Sequence, residues 1–353
     1  MADNKMFIKG NEAVARGALA AGCRCFFGYP ITPQNDIPEF MSSAIVEAGG
    51  EFVQAESEVA AANMLLGAGA AGVRAMTSSS SPGISLKQEA ISYMAGSQIP
   101  AVVVNMTRGG PGLGDIGPAQ GDYYQATRGG GHGDYRTLVL APGTVQEAYN
   151  LTIEAFDLAF KYRNPVLILG DAILGQMKEP VAMGEPVAVD PKEAADWCIC
   201  GRDGREKRLI KSLFLEEGAL AGQNQMLKEK YEAMQAEIRY EAFETEDAEL
   251  VVAAFGSIGR IAKSAVRTLR KQGRKVGLFR PITLYPFPSA ALRSLAEQGK
   301  RFLTIEHNLG QMVDDVRLAV RGLADSDFYG VYPGNMPIPD EFEAPILKCL
   351  EGK

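Results

Sequence analysis

The chain has 353 residues, 46% hydrophobic and 22% charged, which excludes wholesale disorder and collagen-like or coiled-coil organisation. With 43 acidic against 36 basic residues the net charge is −7, so no excess of cations exists to neutralise a nucleic-acid backbone, and no nucleic-acid partner is expected. At about 100–200 residues per domain, the length points to two domains.

Residues 6–27 open with small and apolar side chains at helical spacing, which predicts a helix ended by Gly22, followed by a short buried strand from Cys25. EFVQ (51–54) reads as a strand, the Ala-rich run 57–72 as a tightly packed helix, and 73–77 as the next strand. After the loop SSSSPG (78–83) a helix over 84–96 and a strand over 101–105 are expected. The stretch 108–133 carries ten Gly in 26 residues and reads as a long loop. Loops of that length inside compact domains are usually functional or disordered. Arg108, Asp115, Gln120, Asp122 and Arg128 punctuate it and favour a loop that faces a ligand. A strand at 137–141, a helix at 145–161 and a strand at 166–170 follow. Strands alternating with helices of this length imply a parallel α/β sheet.

Residues 180–248 differ in character. They hold Pro180, Pro186 and Pro191, the charged run GRDGREKR (201–208) and an amphipathic helical pattern through Leu227, Tyr231, Met234 and Ile238. A second α/β unit starts at Leu250, with strands expected at 250–255, 275–279 and 302–306 and helices at 261–272, 289–298 and 311–323. The expected division is therefore an α/β domain over 1–185, a linker with a helix over 186–247 and a smaller α/β domain over 248–353.

Several chemistries are absent. No apolar run approaches the roughly 20 residues of a membrane helix. MADNKMFIKGNEA lacks the apolar core of a secretory signal, so a cytoplasmic protein is expected, with no membrane partner. The five Cys form two C-x-C pairs and a single Cys349, without ferredoxin-type cluster spacing, and read as reduced thiols. Two His exclude a His-rich zinc site, and no metal site is expected. GSIG (256–259) lacks the dinucleotide fingerprint and reads as a tight strand-to-helix turn. No phosphate loop occurs, and the serines at 78–81 do not form a nucleophile elbow.

Two residues carry candidate chemistry. Glu58 starts the Ala-rich helix, where a first-turn acid is favoured by the helix dipole. Its neighbours Val59, Ala60, Ala61 and Ala62 point to partial burial, and buried carboxylates need partners or a function. Arg108 ends a strand, where open parallel sheets bind ligands, and its guanidinium suits a carboxylate or phosphate. A purely structural Arg108 that bonds loop carbonyls fits the sequence equally well.

GYPITPQNDIPE (28–39), QAESEVAAANMLLGAGAAG (54–72), MTSSSSPGISLKQEAISYMAG (76–96) and RGGPGLGDIGPAQGDYYQATRGGGHGDYR (108–136) occur in that order, with IEHNLGQM (305–312) later. Together they resemble the alpha subunit of 2-oxoacid:ferredoxin oxidoreductases, most closely the subgroup acting on branched-chain acids such as 3-methyl-2-oxobutanoate. The 2-oxoglutarate enzymes share most of these signatures. The resemblance implies a pyrimidine-domain-like parallel sheet of the thiamine-enzyme kind, followed by a transketolase C-terminal-like α/β domain. It implies CoA-dependent oxidative decarboxylation to acyl-CoA and CO2 with ferredoxin reduction. It further implies thiamine diphosphate shared with a beta subunit that carries magnesium and a 4Fe-4S cluster, and a small ferredoxin-like subunit that completes the complex.

By motif position, Glu58 matches the acid that hydrogen-bonds the cofactor's pyrimidine ring. Thr32 matches a residue near the substrate and the cofactor's reactive end, Pro30 and Ile31 lie in the same cofactor-binding turn, and Arg108 matches the ligand of the substrate carboxylate. Asp115, Gln120, Asp122 and Arg128 receive no individual roles. A distal carboxylate, as in 2-oxoglutarate, would need a further cation, for which Arg128 and Arg136 are available. A non-catalytic scaffold subunit and a nucleotide-binding oxidoreductase are the readings of other classes.

Overall fold

Strands that read as unbroken apolar runs, such as AVVVNMT (101–107) and PVLILGD (165–171), are buried at every residue, as parallel strands covered by helices on both faces must be. The structure, a computed structural model, describes residues 5–190, 192–202 and 204–352. The first part of the chain runs β1 (Lys5–Lys9), α1 (Gly10–Ala20), β2 (Cys25–Gly28), α2 (Asp36–Glu47), β3 (Glu51–Gln54), α3 (Glu58–Ala70), β4 (Ala75–Ser79), α4 (Pro82–Gly96) and β5 (Ala101–Thr107). It continues through α5 (Tyr123–Arg128), β6 (Leu138–Leu140), α6 (Val145–Tyr162), β7 (Pro165–Asp171), α7 (Ala172–Gln176) and β8 (Lys178–Ala182). Next come α8 (Ala219–Ala233), a 3-10 turn (Met234–Glu237), β9 (Tyr240–Phe243), β10 (Leu250–Ala253), α9 (Gly256–Lys271), β11 (Val276–Pro281) and β12 (Thr283–Tyr285). The chain closes with α10 (Ser289–Glu297), β13 (Arg301–Glu306), α11 (Met312–Val320), β14 (Ser326–Gly330) and α12 (Pro339–Leu350).

Two sheets dominate. A seven-stranded sheet has the order β12-β6-β7-β5-β4-β2-β3 and a five-stranded sheet the order β14-β13-β10-β11-β9. Both are parallel except at one edge, where β12 and β9 run antiparallel to their neighbours. This is the α/β architecture expected from the alternation of strands and helices.

The helix expected to end at Gly22 and the strand expected from Cys25 are present as α1 and β2, but the first residues differ. Residues 5–9 form β1, which pairs antiparallel with β8, and the helix begins only at Gly10. The pairing partner lies some 170 residues away, so the local pattern could not reveal it. Where α1 crosses α6, a Cβ on Gly17 would stand 2.5 Å from the Tyr149 carbonyl oxygen, so only glycine permits the close approach.

The segment expected as a linker packs against the larger sheet and adds a strand to the smaller one. Leu227, Tyr231 and Met234 join the core on one face of the large sheet, while β9 forms an edge of the smaller one. From the other side of the chain, β12 crosses over to pair with β6. An apolar cluster runs without a break from Val103, Val139 and Leu167 to Phe255, Phe279 and Met312, so the two sheets share a core.

Arg280 on β11 ties the two together electrostatically. It is 5% exposed and holds Glu147 of α6 through two hydrogen bonds, at 2.9 and 2.6 Å, and Glu241 of β9 at 2.9 Å. Burial pushes the Glu241 carboxyl up, but its bonds to Lys263 and Arg280 outweigh this and hold it below the ordinary value. Arg280→Met should therefore lower the unfolding free energy by about 2–3 kcal/mol in urea titrations at pH 7, between the ranges for exposed and buried pairs. A carboxyl held low in the folded state stabilises above its unfolded pKa and loses that contribution as the pH falls through its folded pKa. The deficit of the variant should shrink as the pH drops below the ordinary glutamate value of 4.5.

Candidate active site

The carboxyl ends of β2, β4 and β5, adjacent in the large sheet, open on one cavity of about 450 Å³. That is within the usual range for a small-molecule site, and the carboxyl edge is where parallel sheets bind ligands. After β2 the chain turns through Tyr29, Pro30, Ile31 and Thr32. Gln34, fully buried, holds this turn: its amide donates to the Tyr29 carbonyl at 3.3 Å, and its side-chain oxygen accepts from Ser78. Asn35 accepts from the Ile31 backbone N–H at 2.8 Å. These bonds fix an otherwise irregular turn against the end of β4.

Glu58 is the first residue of α3. Ser57 caps the helix by accepting from the Ala60 N–H at 3.2 Å, which places Glu58 at the mouth of the cavity, 8% exposed. Its carboxylate makes no side-chain hydrogen bond among the described residues. Gly83 in the first turn of α4 leaves it room: a Cβ there would lie 2.9 Å from Glu58 Oε1 and 2.1 Å from Ser79 Oγ. The hydroxyls of Ser79 and Ser80 beside it are buried without partners.

Arg108 follows β5. Its backbone N–H donates to Ser81 Oγ at 3.0 Å, and Ser81 takes a positive φ of 25°, a strained value for a non-glycine residue. Ser81 is held there through Asn105, whose amide donates in turn to Asp122 at 2.8 Å. The Arg108 guanidinium donates to the carbonyls of Thr32 and Leu113, each at 3.0 Å, while its Nε is buried without a partner. No carboxylate neutralises it among the described residues. Both readings of Arg108 left open by the sequence are thus visible at once. It does bond loop carbonyls, and it retains buried donor capacity and an uncompensated charge on the cavity wall, an arrangement that an anion completes.

All five residues singled out in the sequence, Pro30, Ile31, Thr32, Glu58 and Arg108, line this one cavity. The residues of the Gly-rich loop divide. Leu113 and Ile116 line the cavity and are largely exposed, at 83% and 61%. Asp115 accepts from its neighbour Ile116 in a local turn. Gln120 and Asp122 face inward, Gln120 donating to the Phe255 carbonyl at 3.0 Å, while the exposed Arg128 pairs through two bonds with Asp315 of α11, each at 2.9 Å. The end of the loop is not a coil but α5, which Tyr123 anchors by donating to Asp315. Arg136 lies in a different cavity, beside Tyr231 and Tyr285. Leu86, Leu113 and Ile116 were missed in the sequence; two isolated aliphatic residues in a Gly-rich loop were the available signal.

Among the described residues no cluster of three or more His, Cys, Asp or Glu side chains is placed to hold a metal ion, and no helix is long and apolar enough to cross a membrane. The donor set suits the pyrimidine end of thiamine diphosphate: the lining holds a carboxylate without a side-chain hydrogen bond and a buried guanidinium.

Comparison with known proteins shows the family. Residues 16–249 match the family model for pyruvate flavodoxin/ferredoxin oxidoreductase, thiamine diphosphate-binding, and residues 248–342 match pyruvate:ferredoxin oxidoreductase core domain II. The chain is 52% identical over 330 residues to the ketoisovalerate oxidoreductase subunit VorB of Methanothermobacter thermautotrophicus, covering 93% of each chain. To the 2-oxoglutarate synthase subunit KorA of the same organism it is 36% identical over 372 residues, covering 97% of this chain and 98% of the other. A solved 2-oxoglutarate:ferredoxin oxidoreductase from Magnetococcus marinus superposes with a TM-score of 0.87 at 24% identity, over 99% of this chain and 66% of that one, which shows the shared fold. The chain therefore belongs to the thiamine-diphosphate-binding 2-oxoacid:ferredoxin oxidoreductase family, as one subunit of the enzyme.

Proposed function

We propose that this chain, with partner subunits, converts a branched-chain 2-oxoacid such as 3-methyl-2-oxobutanoate, together with coenzyme A, to the acyl-CoA and CO2 while reducing ferredoxin. The observation that carries the substrate choice is the lining of the cavity. Arg108 is its one cation among the described residues, and Ile31, Leu86, Leu113 and Ile116 supply aliphatic surface. One cation suits one carboxylate. The second carboxylate of 2-oxoglutarate would lose water there without gaining a partner, at a cost of a few kcal/mol or more. Arg128 and Arg136, the cations available on sequence grounds, are engaged elsewhere.

Thiamine diphosphate, when bound, supplies the electron sink for decarboxylation. Glu58 would hold its pyrimidine ring, with a Glu58 carboxyl oxygen sharing a proton with the ring nitrogen. Pro30, Ile31 and Thr32 would pack against the same cofactor, and Thr32 would also face the substrate. Arg108, already oriented by two loop carbonyls, would receive the substrate carboxylate at little further cost in side-chain entropy. Leu113 and Ile116, exposed in the isolated chain, support closure of the cavity by a partner. The beta subunit would hold the diphosphate, magnesium and a 4Fe-4S cluster, and a small ferredoxin-like subunit would pass electrons onward.

Four measurements on the co-expressed complex test this reading, each by anaerobic viologen reduction. Wild type should turn over 3-methyl-2-oxobutanoate at least ~100-fold more efficiently than 2-oxoglutarate, a ratio of the size that an unpaired buried charge sets; preference for 2-oxoglutarate would overturn the substrate assignment. Glu58→Gln should lower kcat by about 100-fold or more with the fold retained by circular dichroism. Arg108→Met should raise KM for the branched acid by roughly 10–100-fold, the worth of a charged hydrogen-bond pair. Leu113→Lys, which adds a cation to the cavity wall, should shift the kcat/KM ratio toward 2-oxoglutarate by about tenfold.

A further inference from the structure

A fully buried lysine lies directly behind Glu58. Lys87 projects from α4 and is 0% exposed. Its Nζ donates to the backbone carbonyl of Glu58 at 3.3 Å and to Thr77 Oγ1 at 3.2 Å. Thr77 Oγ1 in turn donates to the Phe27 carbonyl at 2.6 Å. One ammonium thus joins α4, the first turn of α3 and β4, and through Thr77 reaches β2 just before the turn through Pro30 and Thr32.

As a purely structural feature this placement is poor. Lysines are almost never fully buried unless paired, and no carboxylate lies within salt-bridge distance of Lys87 among the described residues. The cation also sits near the amino-terminal end of α3, the end of a helix that disfavours positive charge. A methionine would fill the same space without either cost. Of the groups bonded to it, β4 offers the Thr77 hydroxyl and the first turn of α3 the Glu58 carbonyl, and the one charge that acts on it is that of Glu58.

Taking the proposed thiamine role of Glu58 as its premise, we propose that Lys87 is a positioning residue for Glu58. Its hydrogen bond fixes the backbone from which the Glu58 side chain reaches into the cavity. Its ammonium, coupled electrostatically to Glu58, favours passage of the proton shared between a Glu58 carboxyl oxygen and the pyrimidine nitrogen toward the ring. Burial lowers the lysine to about 8, against the ordinary 10.5, so that this support would be withdrawn under mildly alkaline conditions.

The test uses the complete complex stripped of cofactor and reloaded with thiamine diphosphate and magnesium. Calorimetry gives the affinity, and proton NMR after acid quench in deuterium oxide gives the exchange rate of the cofactor's C2 proton, with no substrate or electron acceptor present. Lys87→Met should bind the cofactor within about threefold of wild type yet exchange C2 at least ~10-fold more slowly at pH 7. Wild-type exchange should fall off above about pH 8, a limb that the variant should lack. Exchange in the variant within twofold of wild type, or the same alkaline limb in both, would overturn the proposal. Should the variant fail to assemble, the wild-type profile decides alone, and a rate that does not fall up to about pH 9.5 overturns it. Wild-type complex that neither binds the cofactor nor exchanges C2 would instead remove the thiamine role of Glu58, on which this inference depends.

Discussion

Three charged groups, Glu58, Lys87 and Arg108, are each more than nine-tenths buried at one edge of the large sheet, and the neighbouring structure is arranged around the cost of keeping them there. No two of them form a salt bridge. Glu58 has the positive end of α3 and the ammonium behind it; Lys87 has a carbonyl and a hydroxyl; Arg108 has two loop carbonyls. Direct pairing would have neutralised the groups and left nothing to offer a ligand. Dipoles stabilise each charge, while Glu58 and Arg108 still line the cavity. The sheet order β5-β4-β2 makes this feasible, because it sets the strand ends that carry Arg108, the α4 segment and the Pro30–Thr32 turn side by side.

The same economy governs the loop after β5. Its first half contributes Leu113 and Ile116 to the cavity, and its second half is clamped to the smaller sheet. Gln120 alone makes four bonds across that junction: its amide donates to Phe255, its backbone N–H to the His307 carbonyl, its side-chain oxygen accepts from the His307 N–H and its carbonyl accepts from Asn308. Glu306 then caps α11 by accepting from the backbone N–H groups of Met312 and Val313, at 2.8 and 2.9 Å, although burial pushes its carboxyl up. The glycines let this segment fold back on itself, and the polar residues among them are joints. Displacement of the smaller sheet would therefore be transmitted to the wall that carries Leu113.

What the sequence made legible follows from range. The alternation of apolar strands and amphipathic helices is local, and it marked β3 to β7 and the α/β unit after Leu250. Glu58 and Arg108 stood out because a charge beside Ala-rich or Gly-rich chain is anomalous in itself. Pairings between distant segments left no local trace: β1 with β8, β9 with β11 and β12 with β6 were all missed or read as helix, linker or loop. Helix α5 was hidden because its flanking glycines dominate the composition. Lys87 was read simply as part of a helix, since a lysine announces nothing until packing shows that it has no water.

Selectivity by absence is the consequence for chemistry. A pocket for 2-oxoglutarate requires a positive group placed at a set distance from the first, whereas a pocket for a branched acid requires only that no such group be present and that aliphatic surface replace it. Arg128 illustrates how the absence is enforced. Its guanidinium is committed to Asp315 by two parallel bonds and lies over the ring of Tyr124, 5.0 Å from the centroid, so recruiting it to the cavity would break a bidentate pair and strand a carboxylate. The clamp that joins the loop to α11 thus also keeps the guanidinium of Arg128 from the cavity. On the proposed reading, fold stability and substrate choice rest on the same ion pair, and relaxing specificity toward a dicarboxylate is more accessible by adding a charge at the exposed Leu113 than by freeing one that the fold already uses.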